Sequence, residues 1–331
     1  MKKVFSLLLA LSMLITGSFG VMAQAQTIEP TNFDEINFQI TSKENPDAYI
    51  ESRFVPGNSA YARSSEEDGK TLVGYVDATV YVEETYTKGE DGNIFTTDSR
   101  LLSEEEVMSI GKSEFDVPVQ SVQPRISTIG DKTTSRGKLT IRFTVMAYSQ
   151  ARRYQLNLTS NWSGLSWLST GDTNSPGWGD DIMGFAWGGG YDFDGYGYDL
   201  LDAFGNHGRA AYIQSKANCG VAWNFNEHTT EAEYDDYITR AQCWTNINKN
   251  VATGGGNTTS VTGEYLHTWA AVSPSVSWSV SGSGGSGSFG LSSPSELVHP
   301  SGSYRHTILR VVENGAMDNL FYSPIFMLIR S

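Results

Sequence analysis

From Lys138 onward the chain alternates apolar and polar residues with a period of two. Leu139, Ile141, Phe143 and Val145 alternate with Thr140, Arg142 and Thr144, and Tyr154, Leu156, Leu158 and Trp162 stand against Gln155, Asn157 and Thr159. Successive side chains of a strand point to opposite faces, so each such segment buries one face and wets the other. Val221, Trp223 and Phe225 repeat the pattern, as do Val276, Trp278 and Val280 against Ser275, Ser277, Ser279 and Ser281. Tyr304 to Val312 and Asn319 to Ile329 read as two final strands. One sheet cannot bury its own apolar face. The predicted fold is therefore all-β, an antiparallel two-sheet β-sandwich over about 136–331. No internal repeat suggests a propeller or β-helix.

One short helix is expected inside the sandwich. Thr230-Glu231-Ala232-Glu233 fits a capping box, and Tyr234, Tyr237, Ile238 and Ala241 fall at i, i+3, i+4 and i+7. Cys243 would lie at its end.

Upstream, residues 1–26 read as a secretory signal peptide. Lys2 and Lys3 precede an apolar run from Val4 to Thr16, and Ala23-Gln24-Ala25 supplies the small residues of a cleavage site. That predicts a secreted, extracellular protein, and a stable membrane span after cleavage is not expected, because no later run approaches about 18 apolar residues. Residues 27–70, broken by Pro30, Pro46, Pro56 and Gly57, read as a flexible lead-in. Residues 71–117 read as a small acidic α+β segment: β-formers around Val73 to Val82, a turn at 88–93, and a capping box at Ser103–Glu106 opening a short helix. Residues 118–137 read as a linker to a sandwich domain at 138–331.

Charge narrows the partners. The whole chain carries −14, and loss of Lys2 and Lys3 leaves about −16. Nucleic acid and anionic membranes are disfavoured by like-charge repulsion. The acid excess lies in 27–124, with 20 acids and 7 bases, whereas 125–331 has 17 acids and 14 bases. This asymmetry also argues for a boundary near 125–135. The two cysteines, Cys219 and Cys243, are expected to form a disulfide in an oxidising compartment, with two buried thiols as the other reading.

The segment Gly177–Gly208 is dense in Gly, Asp and aromatic residues. Trp178, Trp187, Tyr191 and Tyr196 are the candidate ligand-binding residues, because exposed rings stack on small ligands such as sugars. Asp192, Asp194, Asp199 and Asp202 are candidate Ca²⁺ ligands, since closely spaced carboxylates on a Gly-rich backbone suit a hard cation. Their spacing is not that of an EF-hand, and they can equally cap turns. Three glycosylation sequons begin at Asn157, Asn161 and Asn257.

The leading functional expectation is a secreted, non-enzymatic binding protein for carbohydrate or another cell-surface ligand. Two others stay open. The Ser-faced segment 274–293 could be the stem of a pore former released from an acidic pro-segment, although its strands are short for a membrane. A hydrolase could use two carboxylates from among Asp180, Asp181, Glu227 and Glu264. No H-E-x-x-H or Gly-x-Ser-x-Gly motif is present.

Overall fold

The alternation after residue 138 produces two long partners, β5 (Lys132–Tyr148) and β6 (Arg153–Ser163), paired antiparallel from Lys138↔Ser163 to Ala147↔Tyr154. Leu139, Ile141, Phe143 and Val145 are buried, while Thr140 and Arg142 between them are not. The computed structural model describes residues 40–42, 47–57, 69–90, 94–117, 128–148, 153–165, 180–187, 190–216, 219–227, 237–249, 259–268, 275–280, 287–292, 306–315 and 327–330. The expected signal peptide, Trp178, residues 118–127 of the expected linker and the expected capping box at 230–233 lie outside them, whereas the linker's last six residues open β5.

The remaining strands are β1 (Ile40–Ser42), β2 (Ile50–Pro56), β3 (Lys70–Lys88), β4 (Ile94–Leu101), β7 (Asp180–Trp187), β8 (Tyr191–Asp202), β9 (Tyr212–Lys216), β10 (Gly220–Asn226), β11 (Ile238–Lys249), β12 (Thr259–Thr268), β13 (Ser275–Val280), β14 (Gly287–Ser292), β15 (His306–Gly315) and β16 (Met327–Arg330). Sheet I runs β2-β3-β5-β6-β11-β8, with β4 also on β3; sheet II runs β1-β16-β15-β12-β7-β10-β9. β13 and β14 form a separate hairpin. Neighbours within the sheets are antiparallel except β1 and β16, which pair in parallel. The all-β two-sheet architecture follows the sequence expectation, but its extent does not.

Residues 33–331 form one compact unit. The acidic segment is built into the sandwich, because β3 pairs with β5 from Lys70↔Tyr148 to Thr87↔Lys132. Val76, Ala78, Val80 and Val82 of β3 are buried, the last three in the shared core. Some of the segment's acids pair with bases across neighbouring strands. Asp77 accepts two bonds from Arg142 (2.6 and 2.8 Å), and Glu83 meets Arg100 (2.7 Å) and Arg136 (2.7 Å). Part of the expected lead-in is also structured: β2 pairs with β3, and its Val55 is buried.

The upstream helix forms as expected: α1 (Glu104–Ile110) carries the full Ser103–Glu106 capping box. It and the following 3-10 turn at Lys112–Phe115 cover one end of the outer face of sheet I, where Tyr81, Leu102, Val107 and Phe115 make a small second core. The expected helix after Thr230 is not observed at its C-terminal half. Ile238 to Lys249 is strand β11, between β6 and β8. A register shift at Ile238/Arg240 leaves Tyr237, Ile238 and Thr239 buried in succession and blurs the alternation where the strand begins, which explains the misleading spacing.

The inner faces of the two sheets meet through Phe143 and Phe185, whose rings lie 5.8 Å apart, and through Trp162 and Tyr265. Gly263 of β12 allows this approach. A Cβ there would stand 3.2 Å from the Phe143 ring and 3.6 Å from Leu158. On the other side of sheet II, β14 runs beside β7 and β12, and Ile182, Ala186 and Thr262 on that face are buried. β14 thus lies against sheet II. Among the described residues, no helix is long and apolar enough to cross a membrane.

Candidate functional site

Beyond α1, the outer face of sheet I is polar among the described residues. It presents hydroxyl and amide side chains from Thr140, Thr144, Asn157, Thr159 and Gln242, none of which is fully buried. Trp244 faces the same way, since Cys243 beside it points inward to Met183 (3.9 Å). Trp244 pairs with Asn157 on one side and Gly197 on the other. A side chain at 197 would collide with the indole, because a Cβ there would lie 2.3 Å from Trp244 Cζ2 and 2.4 Å from Cε2. The ring therefore lies down over the bare backbone of edge strand β8. Across the same face, the Arg142 guanidinium sits 4.4 Å from the Tyr75 ring centroid while bound to Asp77. The face thus sets a half-buried indole among hydroxyl and amide side chains.

Of the residues named from the sequence, Trp187 and Tyr191 are fully buried. Trp187 Nε1 donates to the Tyr191 carbonyl (3.1 Å), and Tyr191 packs edge-on to Tyr154 at 6.1 Å. Both are core residues, because β7 and the start of β8 turn these rings between the sheets. Tyr196 is 44% exposed on edge strand β8, close to Phe193. The four aspartates are not gathered. Asp192, Asp194, Asp199 and Asp202 are strung along β8, over roughly 30 Å at about 3.4 Å per residue. Asp194 meets Arg153 (2.9 Å) and Asn248 (2.9 Å), Asp199 meets His207 (3.0 Å), and Asp202 caps the following turn through the Phe204 and Asn206 amides (both 2.8 Å). Among the described residues these four form no cluster with ligand atoms within reach of one ion.

Cys219 and Cys243 are buried thiols not joined to each other, which corrects the expected disulfide. Cys219 adjoins β10 in sheet II, while Cys243 lies mid-strand in β11 of sheet I. Burial pushes the Cys243 thiol well above its ordinary pKa, so it behaves as a small apolar group.

A second cluster lies inside the sandwich. β7 begins, and β10 and β12 end, at the same end of sheet II, as their antiparallel registers require. This brings Asp181, Glu227 and His267 together with all three side chains buried. His267 Nδ1 lies 2.9 Å from Asp181 Oδ2 and 3.1 Å from Glu227 Oε2. The Tyr265 hydroxyl reaches both acids, Asp181 Oδ2 and Glu227 Oε1 (2.9 Å), and accepts from Trp162 Nε1 (3.0 Å). Burial, then the adjacent Asp181, raises the Glu227 pKa, so Glu227 retains a proton to fill the second of these bonds. Burial alone would depress the His267 imidazolium, but Asp181 and Glu227 override it and hold its pKa above the ordinary value. From the facing sheet, burial pushes the Glu84 carboxyl up to about 8, and Tyr86 donates to it.

The sequence named Asp181 and Glu227 as carboxylate candidates but not His267. Glu264, also named, points to the opposite face of sheet II, because it alternates with Tyr265, and Asp180 contacts Asn226 (3.4 Å). The readable signal was a charged residue at an inward position: Asp181 shares the register of Met183 and Phe185, and His267 that of Tyr265.

No known protein family matches the sequence, and no curated protein matches it. Two solved structures show distant likeness. One is the N-terminal domain of the Streptococcus gordonii adhesin Sgo0707, at 7% identity and TM-score 0.25 over 69% of this chain and 74% of that one. The other is the collagen adhesin of S. aureus, at 7% identity and TM-score 0.24 over 83% of this chain and 99% of that one. At these scores neither likeness bears on function.

Proposed function

We propose that this chain is an exported, non-enzymatic β-sandwich that binds a neutral polysaccharide across the outer face of sheet I. The observation that carries the reading is Trp244, laid over Gly197 and bordered by Asn157 and Gln242. A pyranose ring has an apolar face for the indole and an equatorial rim of hydroxyls for the amides. The net charge near −16 of the mature chain favours neutral over polyanionic glycans.

The interior cluster supports the non-enzymatic side of the reading. A glycosidase keeps its carboxyl groups about 5–9.5 Å apart, with the sugar between them. Here donor atoms of Asp181, Glu227 and His267 lie within 4.8 Å of one another, and their side chains are withdrawn from solvent. A sugar does not fit between them.

The test is affinity electrophoresis of the mature chain in gels containing a neutral glucan, mannan or xylan. At least one should retard the wild type, and Trp244→Ala should migrate as in an empty gel while keeping its melting temperature within a few degrees. Equal retardation of wild type and Trp244→Ala would refute this assignment, as would no retardation in any of the three.

A further inference from the structure

We propose that Asp181, Glu227 and His267 form a binding site for one divalent transition-metal ion of the Zn²⁺ class, clasped inside the sandwich. The site is independent of the polysaccharide face, which lies on the other side of sheet I.

The donor set is one imidazole nitrogen and two carboxylate oxygens. This mix suits Zn²⁺ and its transition-metal neighbours. Ca²⁺ takes six to eight oxygens, and Mg²⁺ keeps several waters, neither of which a dry three-residue cluster provides. The geometry is near what zinc needs. Tetrahedral ligands at about 2.0–2.1 Å from the metal stand about 3.3 Å from one another. His267 Nδ1 now lies 2.9 Å from Asp181 Oδ2 and 3.1 Å from Glu227 Oε2, so the donors need to part by only a few tenths of an ångström. They stand on adjacent strands of one sheet, which fixes their backbones before any ion arrives.

The surroundings are those of a supported metal centre. Tyr265 Oη contacts both carboxylates, and Trp162 Nε1 holds Tyr265 from the facing sheet. Such outer-shell bonds orient ligands and keep their lone pairs aimed inward. Glu84 adds a separate sign. It is fully buried on β3, near enough to His267 and Glu227 to feel their charges, and its Oε1 has no hydrogen-bond partner. A buried carboxylate oxygen without a partner is costly unless a cation stands nearby. Without metal Glu84 keeps its proton, and a divalent ion bound by the trio would favour its ionised form from across the sheet gap. On binding, His267 Nδ1 and Glu227 give up their protons to solvent, the metal replaces the Nδ1–H bonds to the two acids, and the Tyr265 hydroxyl is left donating to one carboxylate.

The test uses the full mature chain, unfolded in denaturant with EDTA, desalted, and refolded with or without ZnCl₂. Elemental analysis after gel filtration should give about one zinc per chain, and the zinc-refolded protein should melt several degrees higher than the metal-free one. Co²⁺ in place of zinc should give visible d–d absorption. His267→Gln and, separately, Glu227→Gln should fold without metal, bind less than a tenth as much zinc, and lose the melting shift. Should either variant fail to fold, the wild-type cobalt spectrum must still show imidazole and carboxylate coordination. A metal-free wild type with no melting shift and no cobalt spectrum would overturn the proposal. So would stoichiometric zinc retained by both variants, or stabilisation by CaCl₂ in place of ZnCl₂.

Discussion

Replacing Gly197 with alanine tests the polysaccharide platform without touching the aromatic ring itself. The added Cβ would lie 2.3 Å from Trp244 Cζ2, 2.4 Å from Cε2 and 2.6 Å from Nε1. Carbon pairs rest at about 3.5–4.0 Å, so the indole must move at least about 1.2 Å. It sits on the outer face and can swing toward solvent, leaving the core intact. Fold stability should therefore change by less than about 1 kcal/mol, with the relief of glycine's backbone entropy partly offsetting the lost contact. Binding should suffer more. Stacking on an aromatic platform is worth about 1–3 kcal/mol in single-stranded nucleic-acid sites. Taking the lower part of that range, displacement of the ring weakens polysaccharide affinity about five- to tenfold, at about 1.4 kcal/mol per factor of ten. Titration calorimetry with the retarding polysaccharide measures the affinity, and tryptophan fluorescence confirms that the ring has moved. Unchanged affinity with a displaced ring would refute the platform. A large loss of stability would show instead that Trp244 is part of the structural core.

The packing sets further expectations. Gly263→Val should cost about 1–3 kcal/mol, because even a Cβ lies 3.2 Å from Phe143 across the sheets; chemical denaturation reads this directly. Ser103→Ala removes the N-cap that accepts from the Glu106 amide and should cost about 1 kcal/mol, provided α1 reports on global unfolding. Thiol titration should find no reactive cysteine in the native chain and two after unfolding, and a native disulfide would contradict the buried thiols. Glu84 titrates near 8 when folded, against about 4.5 unfolded, so the folded state binds the proton more tightly. Its contribution is whole below about pH 4.5 and is lost as pH rises through 8. In EDTA, melting temperature should fall between about pH 4.5 and 8, and Glu84→Gln should remove part of that fall, the raised Glu227 carboxyl supplying another part.

The period-two pattern after residue 138 was enough to place β5, β6 and β10 and to demand a second sheet. The same alternation runs through β3, but its outward positions carry Asp77 and Glu83, and the resulting acidity read as a separate segment. Only the tertiary pairing with Arg100, Arg136 and Arg142 shows those acids to be cross-strand partners. β11 was misread for two physical reasons. Its inward positions Ala241, Cys243 and Thr245 are small or polar, so period two is faint, and the bulge at Ile238/Arg240 shifts the register at its start. β8 was hidden by residues that strands usually avoid, glycine and aspartate, which an edge strand tolerates because charge there discourages edge pairing. The metal candidate was half legible. Asp181 and Glu227 stood out as acids, but that His267 joins them depends on the order β12-β7-β10 within sheet II, which no local pattern encodes.

The most direct test of the platform is a crystal structure of the mature chain with an oligosaccharide cut from the retarding polysaccharide. The sugar should lie with one ring face on the Trp244 indole and its hydroxyls toward Asn157 or Gln242. Density for the sugar away from sheet I's outer face, with Trp244 bare, would contradict the account.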